Sequence, residues 1–240
     1  MKKKYLIANW KGYLDARQSR KVAATLCSIR IPRAVTAIVC PSDSALADVT
    51  KVLHGSSIQI GSQNIDLTGR RSVRAAKDLG CRYVIVGHSS RRASGETDAM
   101  IARKLNLVER SGLTPILCVG ESAKQHKAGQ TNAVIEKQLS RVLKTFHGKQ
   151  LIIAYEPVWA ISVAGKGIAC PPSTAFATAG HIRAFFRKKF PRLRVTLLYG
   201  GSVSSTNIAQ YVDGKHFVGA LVGFASTKPA EVKAMLRALS

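Results

Sequence analysis

Eight short apolar segments alternate with longer amphipathic segments along this chain, and this alternation limits the folds that it can adopt. Continuous apolar strands alternating with helices are typical of a parallel sheet that is covered by helices. Because eight such units occur and no G-x-G-x-x-G motif follows the first run, we predict a closed (β/α)₈ barrel rather than an open doubly wound sheet. The apolar runs are residues 5–8, 36–40, 58–61, 83–86, 115–119, 151–155, 195–199 and 217–222, and the amphipathic stretches include 16–29, 72–79, 96–110, 131–146, 173–190 and 229–239.

The length of 240 residues is close to the roughly 250 that are typical of one such barrel. Two smaller domains would also fit this length, but no Pro/Gly/Ser-rich linker marks a boundary, so we predict one α/β domain over residues 1–240. No segment approaches the roughly 20 apolar residues of a transmembrane helix. The apolar stretch after the N-terminal lysines is too short for a signal peptide and is interrupted by Asn9 and Lys11. We therefore expect a cytoplasmic protein with no membrane partner.

The five cysteines are an odd number and include no C-x-x-C pair. Three of them lie in or beside apolar runs, which is typical of buried free thiols in a reducing compartment. This pattern gives a zinc site little support, and we expect no metal.

The 37 Lys and Arg against 13 Asp and Glu give a formal net charge of +24. Two interpretations stay open: a generally basic, solvated surface, or a surface that binds polyanions or steers an anionic substrate. Basic residues are spread along the whole chain, and no aromatic-interleaved nucleic-acid motif accompanies them. We favour the first interpretation and expect salt-sensitive, non-specific affinity for polyanions.

Glu156 directly follows the sixth apolar run and is itself followed by Pro157 and Trp159. In a barrel, the loops at the carboxyl ends of the strands carry the chemistry. A glutamate in such a place is often only a loop charge. Here, however, the stiff segment after it leads into a glycine-containing stretch, 162–167, which predicts a hinged lid. Glu156 is therefore the candidate general base.

Asn9 and Lys11 end the first apolar run, and His88 ends the fourth. His88 could be an ordinary capping or core histidine, and Lys11 an ordinary surface charge, but both fall at the same barrel mouth as Glu156. A short helix that begins at Ser89 would point its positive N-terminus at His88. Such a helix disfavours imidazolium and leaves a neutral ring that can polarise a carbonyl. Asn9 could orient substrate oxygens.

Small residues follow the seventh and eighth runs, at Gly200–Gly201–Ser202 and at Gly223. Loops in these two positions frequently form the phosphate site of a barrel. Small side chains let backbone N–H groups approach a dianion. We predict a phosphate site that combines the charge of Lys11 with backbone groups near Ser162, Ser202, Gly223 and Phe224.

Taken in order, these segments resemble the triosephosphate isomerase family from about Tyr5 to the C-terminal helix. The resemblance implies a TIM barrel that interconverts dihydroxyacetone phosphate and D-glyceraldehyde 3-phosphate through an enediolate, with no metal or organic cofactor. It implies that Glu156 is the base and that His88 and Lys11 stabilise the enediolate; a carboxylate base beside a neutral histidine is this family's own arrangement. It also implies a lid hinge with its supports and latch, formed by Pro157, Val158, Trp159, Glu121, Tyr199 and Ser202.

The chain departs from the family's pattern in four places. Ser90 stands where a glutamate is usual after His-Ser. The loop after the third strand is short, and Arg70 follows its Thr68–Gly69 in place of another glutamate. The lid tip at 162–167 has an unusual sequence. Phe224 replaces a glycine, and a positive φ would be costly for it.

These departures bear on assembly and on activity. We expect a homodimer that is weaker than is usual for the family or altered in its contact, with a monomer as the close alternative. Retention of Asn9, Lys11, His88 and Glu156 favours an active isomerase. The main alternative is a catalytically weakened barrel that acts as a basic polyanion-binding protein, and another enzyme on the same barrel is a third hypothesis.

Overall fold

The barrel predicted from the alternation is confirmed. The structure is a computed structural model that describes residues 3–67, 72–162 and 167–240. Its eight strands are all parallel, pair in chain order and close through the pairing of β1 with β8. The strands are β1 (Lys4–Asn9), β2 (Val35–Cys40), β3 (Gln59–Ser62), β4 (Tyr83–Val86), β5 (Thr114–Val119), β6 (Gln150–Tyr155), β7 (Arg194–Tyr199) and β8 (Gly219–Val222).

Helices cover the outside of the barrel. The helix expected over 131–146 ends earlier, because the chain leaves the helix at Leu143 and the Phe146 N–H turns back to the Leu143 carbonyl. No helix in the described ranges has the length and apolar character that a membrane crossing requires. The helices are α1 (Ala16–Cys27), α2 (Leu46–Leu53), α3 (Val73–Asp78), α4 (Ser89–Ala93), α5 (Asp98–Arg110), α6 (Ala123–Lys127), α7 (Thr131–Val142), α8 (Pro172–Lys189), α9 (Ile208–Tyr211) and α10 (Pro229–Ala238), with 3₁₀ turns at Val158–Ala160 and Phe224–Thr227.

The strands bury both of their faces, which explains why they read as continuous apolar runs. Side chains alternate between the two faces with a period of two residues. One set fills the barrel interior and includes Ile7, Ala154, Leu198 and Leu221, and the other set packs under the helices. The residues two positions further along are Asn9, Glu156, Gly200 and Gly223, and they line the pocket at the barrel mouth.

The cysteines are all free, and four of them are buried. Cys27 is exposed, so the expectation of buried thiols is wrong for this residue. It lies at the last position of α1, outside the apolar strand runs, where its thiol contacts the Val52 carbonyl at 3.3 Å.

Candidate active site

The mouth of the barrel brings the sequence-predicted residues together. Seven of the eight candidate catalytic and substrate-binding residues line one pocket, with a free space of about 20 Å³, roughly room for one water molecule. The eighth, Ser202, lines an adjoining cavity of about 410 Å³ together with Ser162 and Phe224. The seven are Asn9, Lys11, His88, Glu156, Ser162, Gly223 and Phe224.

Glu156 and His88 are in direct contact across this pocket. The Oε1 atom of Glu156 lies 3.0 Å from Nε2 of His88, and its Oε2 atom accepts a hydrogen bond of 2.9 Å from the Ser89 backbone N–H. Both side chains are almost completely buried. The carboxylate is therefore held by two consecutive residues at the start of α4, the N-cap His88 and Ser89.

The other ring nitrogen of His88 fixes the tautomer. Nδ1 accepts a hydrogen bond from the Ser90 backbone N–H at 3.2 Å and lies 2.8 Å from the Ser90 hydroxyl. An acceptor carries no proton, so the neutral ring has its proton on Nε2, facing Glu156. The helix expected to begin at Ser89 is present as α4, with His88 as its N-cap. Ser90, noted in the sequence only as a missing glutamate, thus helps to orient the histidine.

Opposing effects act on the Glu156 carboxyl. Burial by itself would raise its pKa, because the anion loses hydration. The proximity and hydrogen bond of His88, the Ser89 N–H and the charge of Lys11 together outweigh burial, so the pKa of Glu156 lies below its ordinary value. The site thus favours a carboxylate.

Lys11 has an unusual backbone conformation. Its φ of 49° makes it the one non-glycine residue with a positive φ among those described. The Lys11 N–H donates to Asn9 Oδ1 at 3.2 Å, and the Lys11 carbonyl accepts from Gln63 Nε2 at 2.8 Å. Gln63 also donates to the Cys40 carbonyl at 3.0 Å. Sparsely populated conformations of this kind persist only when the surroundings fix them, and Gln63, which the sequence did not single out, supplies part of that support.

Phe224 does not have the positive φ that would strain its backbone. It begins the 3₁₀ turn Phe224–Thr227 and is absent from the residues with positive φ. Its ring packs edge-on against Tyr13, with centroids 5.3 Å apart, and Lys228 Nζ lies 4.9 Å from the ring centroid. The side chain that replaces a glycine therefore has its own contacts beside the pocket.

Comparison with known proteins identifies the family. A family model described as triosephosphate isomerase matches residues 4–239. The triosephosphate isomerase of Trichodesmium erythraeum is 38% identical over 238 residues, which cover 95% of this chain and 96% of that protein. Those of Acaryochloris marina and Symbiobacterium thermophilum are 39% and 37% identical, and cover 94% and 99% of this chain and 95% and 97% of their own lengths.

The chain belongs to the triosephosphate isomerase family. The predicted family and the predicted enzyme class, an isomerase, are thereby confirmed.

Glycine in two places leaves room for Glu156. A Cβ atom on Gly200 would lie 2.9 Å from Glu156 Cγ, and one on Gly120 would overlap the Glu156 carbonyl. The sequence predicts Gly200 in a phosphate-binding loop, and this stays a prediction. The absence of a side chain at Gly200 also makes space for the candidate base, which the glycine doublet alone does not indicate.

The residues predicted as the lid hinge follow Glu156 directly. Val158 begins a 3₁₀ turn, and its N–H donates to the Glu121 carbonyl at 3.0 Å. The Trp159 indole N–H donates to Glu121 Oε1 at 2.7 Å, and the Tyr155 hydroxyl reaches both carboxylate oxygens at 3.2 and 3.3 Å. Burial and then the negative charge of Glu121 raise the pKa of Tyr155, so the phenol stays protonated as a donor. Glu121 is therefore in contact with Trp159, and the role of this pair in a lid hinge stays a prediction.

The two predicted latch residues differ in their contacts. The backbone N–H and the hydroxyl of Ser202 both donate to the Ala160 carbonyl, at 2.9 and 2.8 Å. The Tyr199 hydroxyl is buried and has no hydrogen-bond partner of standard geometry among the described residues. Its ring stacks on Tyr211, with centroids 4.0 Å apart. Ser202 therefore hydrogen-bonds to the 3₁₀ turn Val158–Ala160, whereas the Tyr199 hydroxyl forms no such bond among the described residues.

Two departures from the family lie outside the described residues. Thr68, Gly69 and Arg70 belong to the short third loop, and residues 163–166 belong to the altered lid tip. The expectations about them stay predictions.

Proposed function

We propose that this protein interconverts dihydroxyacetone phosphate and D-glyceraldehyde 3-phosphate, with Glu156 as the base and His88 as the electrophile. The observation that carries the proposal is the 3.0 Å contact between Glu156 Oε1 and His88 Nε2 at the barrel mouth. This contact brings together a buried carboxylate and a histidine whose neutral tautomer directs its Nε2–H into the pocket, toward that carboxylate. Those are the two groups that proton abstraction beside a carbonyl needs.

The substrate must enter between these two groups. The 3.0 Å contact leaves no space for a substrate atom between Glu156 and His88, so these two side chains separate when the substrate binds between them. The substrate carbonyl oxygen then replaces the carboxylate as the acceptor of the Nε2–H bond. The freed carboxylate removes the proton from the neighbouring carbon, and the enediolate oxygen gains the hydrogen bond of His88 and the charge of Lys11. The hydroxyl proton of the enediolate moves from its carbon-1 oxygen to the former carbonyl oxygen, and Glu156 returns the abstracted proton to the adjacent carbon, which gives the isomer.

Backbone groups near Ser162, Ser202, Gly223 and Phe224 hold the phosphate in this proposal, with Lys11 supplying a positive charge. All four residues line the central pocket or the adjoining cavity. The Ser202 N–H donates to Ala160 in this structure, so it becomes available to a phosphate only when the hinge moves. Phosphate binding and hinge movement are thereby coupled. No metal or organic cofactor takes part.

A coupled assay in both directions tests the reaction, with Glu156→Gln and His88→Gln as variants. The incorporation of solvent deuterium into recovered dihydroxyacetone phosphate reports the proton transfer itself. Both variants should lose turnover and exchange together. Unchanged turnover in pure Glu156→Gln protein would show that another group is the base.

We also propose a homodimer that is weaker than is usual for the family or altered in contact, with a monomer as the close alternative. A formal charge of +24 on each subunit opposes association, and salt screens it over a Debye length of about 8 Å at physiological strength. Gln63 supports the Lys11 loop from within the same chain, so that loop does not depend on a partner for this contact. Sedimentation over a dilution series at low and moderate salt should detect dissociation. A dimer that persists at nanomolar protein in low salt contradicts a weakened interface.

A further inference from the structure

His126, on helix α6, lies against the turn that follows Glu156. Its ring stacks on the Trp159 indole, with centroids 4.1 Å apart and planes inclined by 17°. Its Nδ1 atom lies 3.6 Å from Glu121 Oε1 and 3.4 Å from the Thr131 hydroxyl. About a third of the side chain, 35%, is exposed, so the ring can exchange protons with solvent.

We propose that His126 is a positioning residue for the reaction. Its imidazole packs on the face of Trp159 and faces the buried carboxylate of Glu121, so that it fixes the turn carrying Glu156, and its protonation strengthens these contacts.

The first observation that supports this role is the burial of the Glu121 carboxylate. This carboxylate has no exposed surface, and its side-chain partners Trp159 and Tyr155 are neutral donors. Among the described residues, His126 is the one basic side chain within 4.0 Å of it. A buried anion without a cation is costly, so a positive charge on His126 offsets part of that cost.

The second observation that supports this role is the set of hydrogen bonds that fixes the segment from Glu156 to Trp159. The Glu156 N–H donates to the Val119 carbonyl at 2.8 Å, and the Val158 N–H donates to the Glu121 carbonyl at 3.0 Å. These bonds join the end of β6 to the loop after β5, and Trp159 comes next in the turn. Glu121 binds the edge of the indole and His126 covers its face. These contacts therefore restrain the position of the turn that follows Glu156.

The other titratable groups around Glu121 keep their charge state near neutral pH. Tyr155 and Cys170 lie near Glu121, and burial and then Glu121 raise the pKa of both, that of Cys170 to about 11. Helix α7 contributes the uncharged hydroxyl of Thr131. Helix α6 itself also carries the basic side chains of Lys124 and Lys127. Histidine ordinarily gains its proton between about pH 8 and 5.

Protonation strengthens both contacts of the ring. A cation over an indole face is attracted by the ring quadrupole. The same cation attracts the Glu121 carboxylate. The turn after Glu156 should therefore be held more firmly at pH 6 than at pH 8.

Tryptophan fluorescence tests this without any substrate, because an imidazolium ring in contact with an excited indole quenches its emission. Wild-type emission should fall in one transition between pH 8.5 and 5.5. The transition should be absent from His126→Gln and Trp159→Phe, the latter retaining only the buried Trp10. His147→Phe, which removes an exposed histidine elsewhere, should keep it. The same transition in His126→Gln, or none in the wild type, overturns the proposal.

The kinetic test rests on the proposed isomerase activity. His126→Gln should lower kcat by about two- to fivefold with little change in KM, the factor that a partly exposed cation–π contact supplies. His126→Phe keeps a stacked ring and should retain more activity at pH 8, but it should lose the difference between pH 6 and 8. A kcat of His126→Gln equal to that of His147→Phe overturns the positioning role. If the wild-type protein shows no turnover, the proposed function is refuted. The fluorescence experiment then still tests the contact between His126 and Trp159.

Discussion

Glu156 and Glu96 are two of the three buried glutamates among the described residues, and each contacts a basic side chain in different surroundings. Glu156 contacts His88 at the mouth, and its second oxygen accepts from the Ser89 N–H. Glu96, just before α5, pairs with Lys104 within that helix, and Lys104 also donates to Asn64 Oδ1 at 2.8 Å. The second oxygen of Glu96 has no hydrogen-bond partner among the described residues.

These differences indicate that the Glu156–His88 contact can open and that the Glu96–Lys104 contact cannot. His88 can be neutral, so separation from Glu156 does not leave a fixed cation in the pocket. Lys104 is buried with only 4% of its side chain exposed, so separation from Glu96 would leave two buried charges. The first pair suits a site that a substrate enters. The second joins α5 to the loop after β3 and is suited to fixing the architecture beneath the mouth.

The largest expected effect comes from neutralising the mouth glutamate. Glu156→Gln should lower kcat by about 10²–10⁴-fold, the usual contribution of a positioned general base. The fold should persist, because the amide keeps the shape and can still contact His88 and Ser89. The coupled assay gives the rate, and urea unfolding gives the stability. Loss of folding together with activity would mean that this pair is structural after all.

Breaking the Glu96–Lys104 pair should, in contrast, mainly lower the stability of the fold. Lys104→Met leaves Glu96 buried without a cation and should cost about 3–5 kcal/mol of unfolding free energy. Lys233→Met removes an exposed lysine and is the matched control. The double variant Glu96→Leu/Lys104→Met should recover much of the loss, because no buried charge remains. A loss below 1 kcal/mol in Lys104→Met, measured by urea unfolding, would show that water or a rearrangement compensates the charge.

A smaller effect should come from filling the space beside Glu156. Gly200→Ala places a methyl group 2.9 Å from Glu156 Cγ and 3.2 Å from the Tyr155 carbonyl. Overpacking of this kind costs about 1–3 kcal/mol. The carboxylate should shift and the rate should fall. Gly12→Ala, where the structure shows open space, is the control. Equal rates in the two variants would indicate that the pocket adapts freely.

The sequence predicted the strands well because each crosses the barrel once and is apolar on both faces. It predicted the mouth residues because each lies at or just after the end of a strand, and period two then places Asn9 and Glu156 on the inner side. It did not predict the contact of His88 with Glu156, 68 positions away, since strand register decides which loops meet. Nor did it predict the supporting contacts of Gln63 or His126, because nothing in their local pattern distinguishes them from surface residues.

The smallest expected effect concerns the dependence of stability on pH. The pKa of Glu156 is lower in the folded chain than in the unfolded one, since His88, Ser89 and Lys11 outweigh burial. The ionised carboxylate thus contributes stability that is fully present above the unfolded pKa of about 4.3 and is lost as pH falls through the folded value.

The stability advantage of wild type over Glu156→Gln should therefore shrink as pH is lowered from 6 to 3, measured by urea unfolding at each pH. This difference reports the Glu156–His88 pair as a unit, because the two side chains are in direct contact. Repeating the comparison in a His88→Gln background isolates Glu156. There the largest stabilising influence on the carboxylate is gone, so the change with pH should be weaker. If the advantage instead grows as pH falls, burial dominates the pKa of Glu156. The Glu156 carboxyl would then be kept neutral by its surroundings and would not be a base ready to accept a proton.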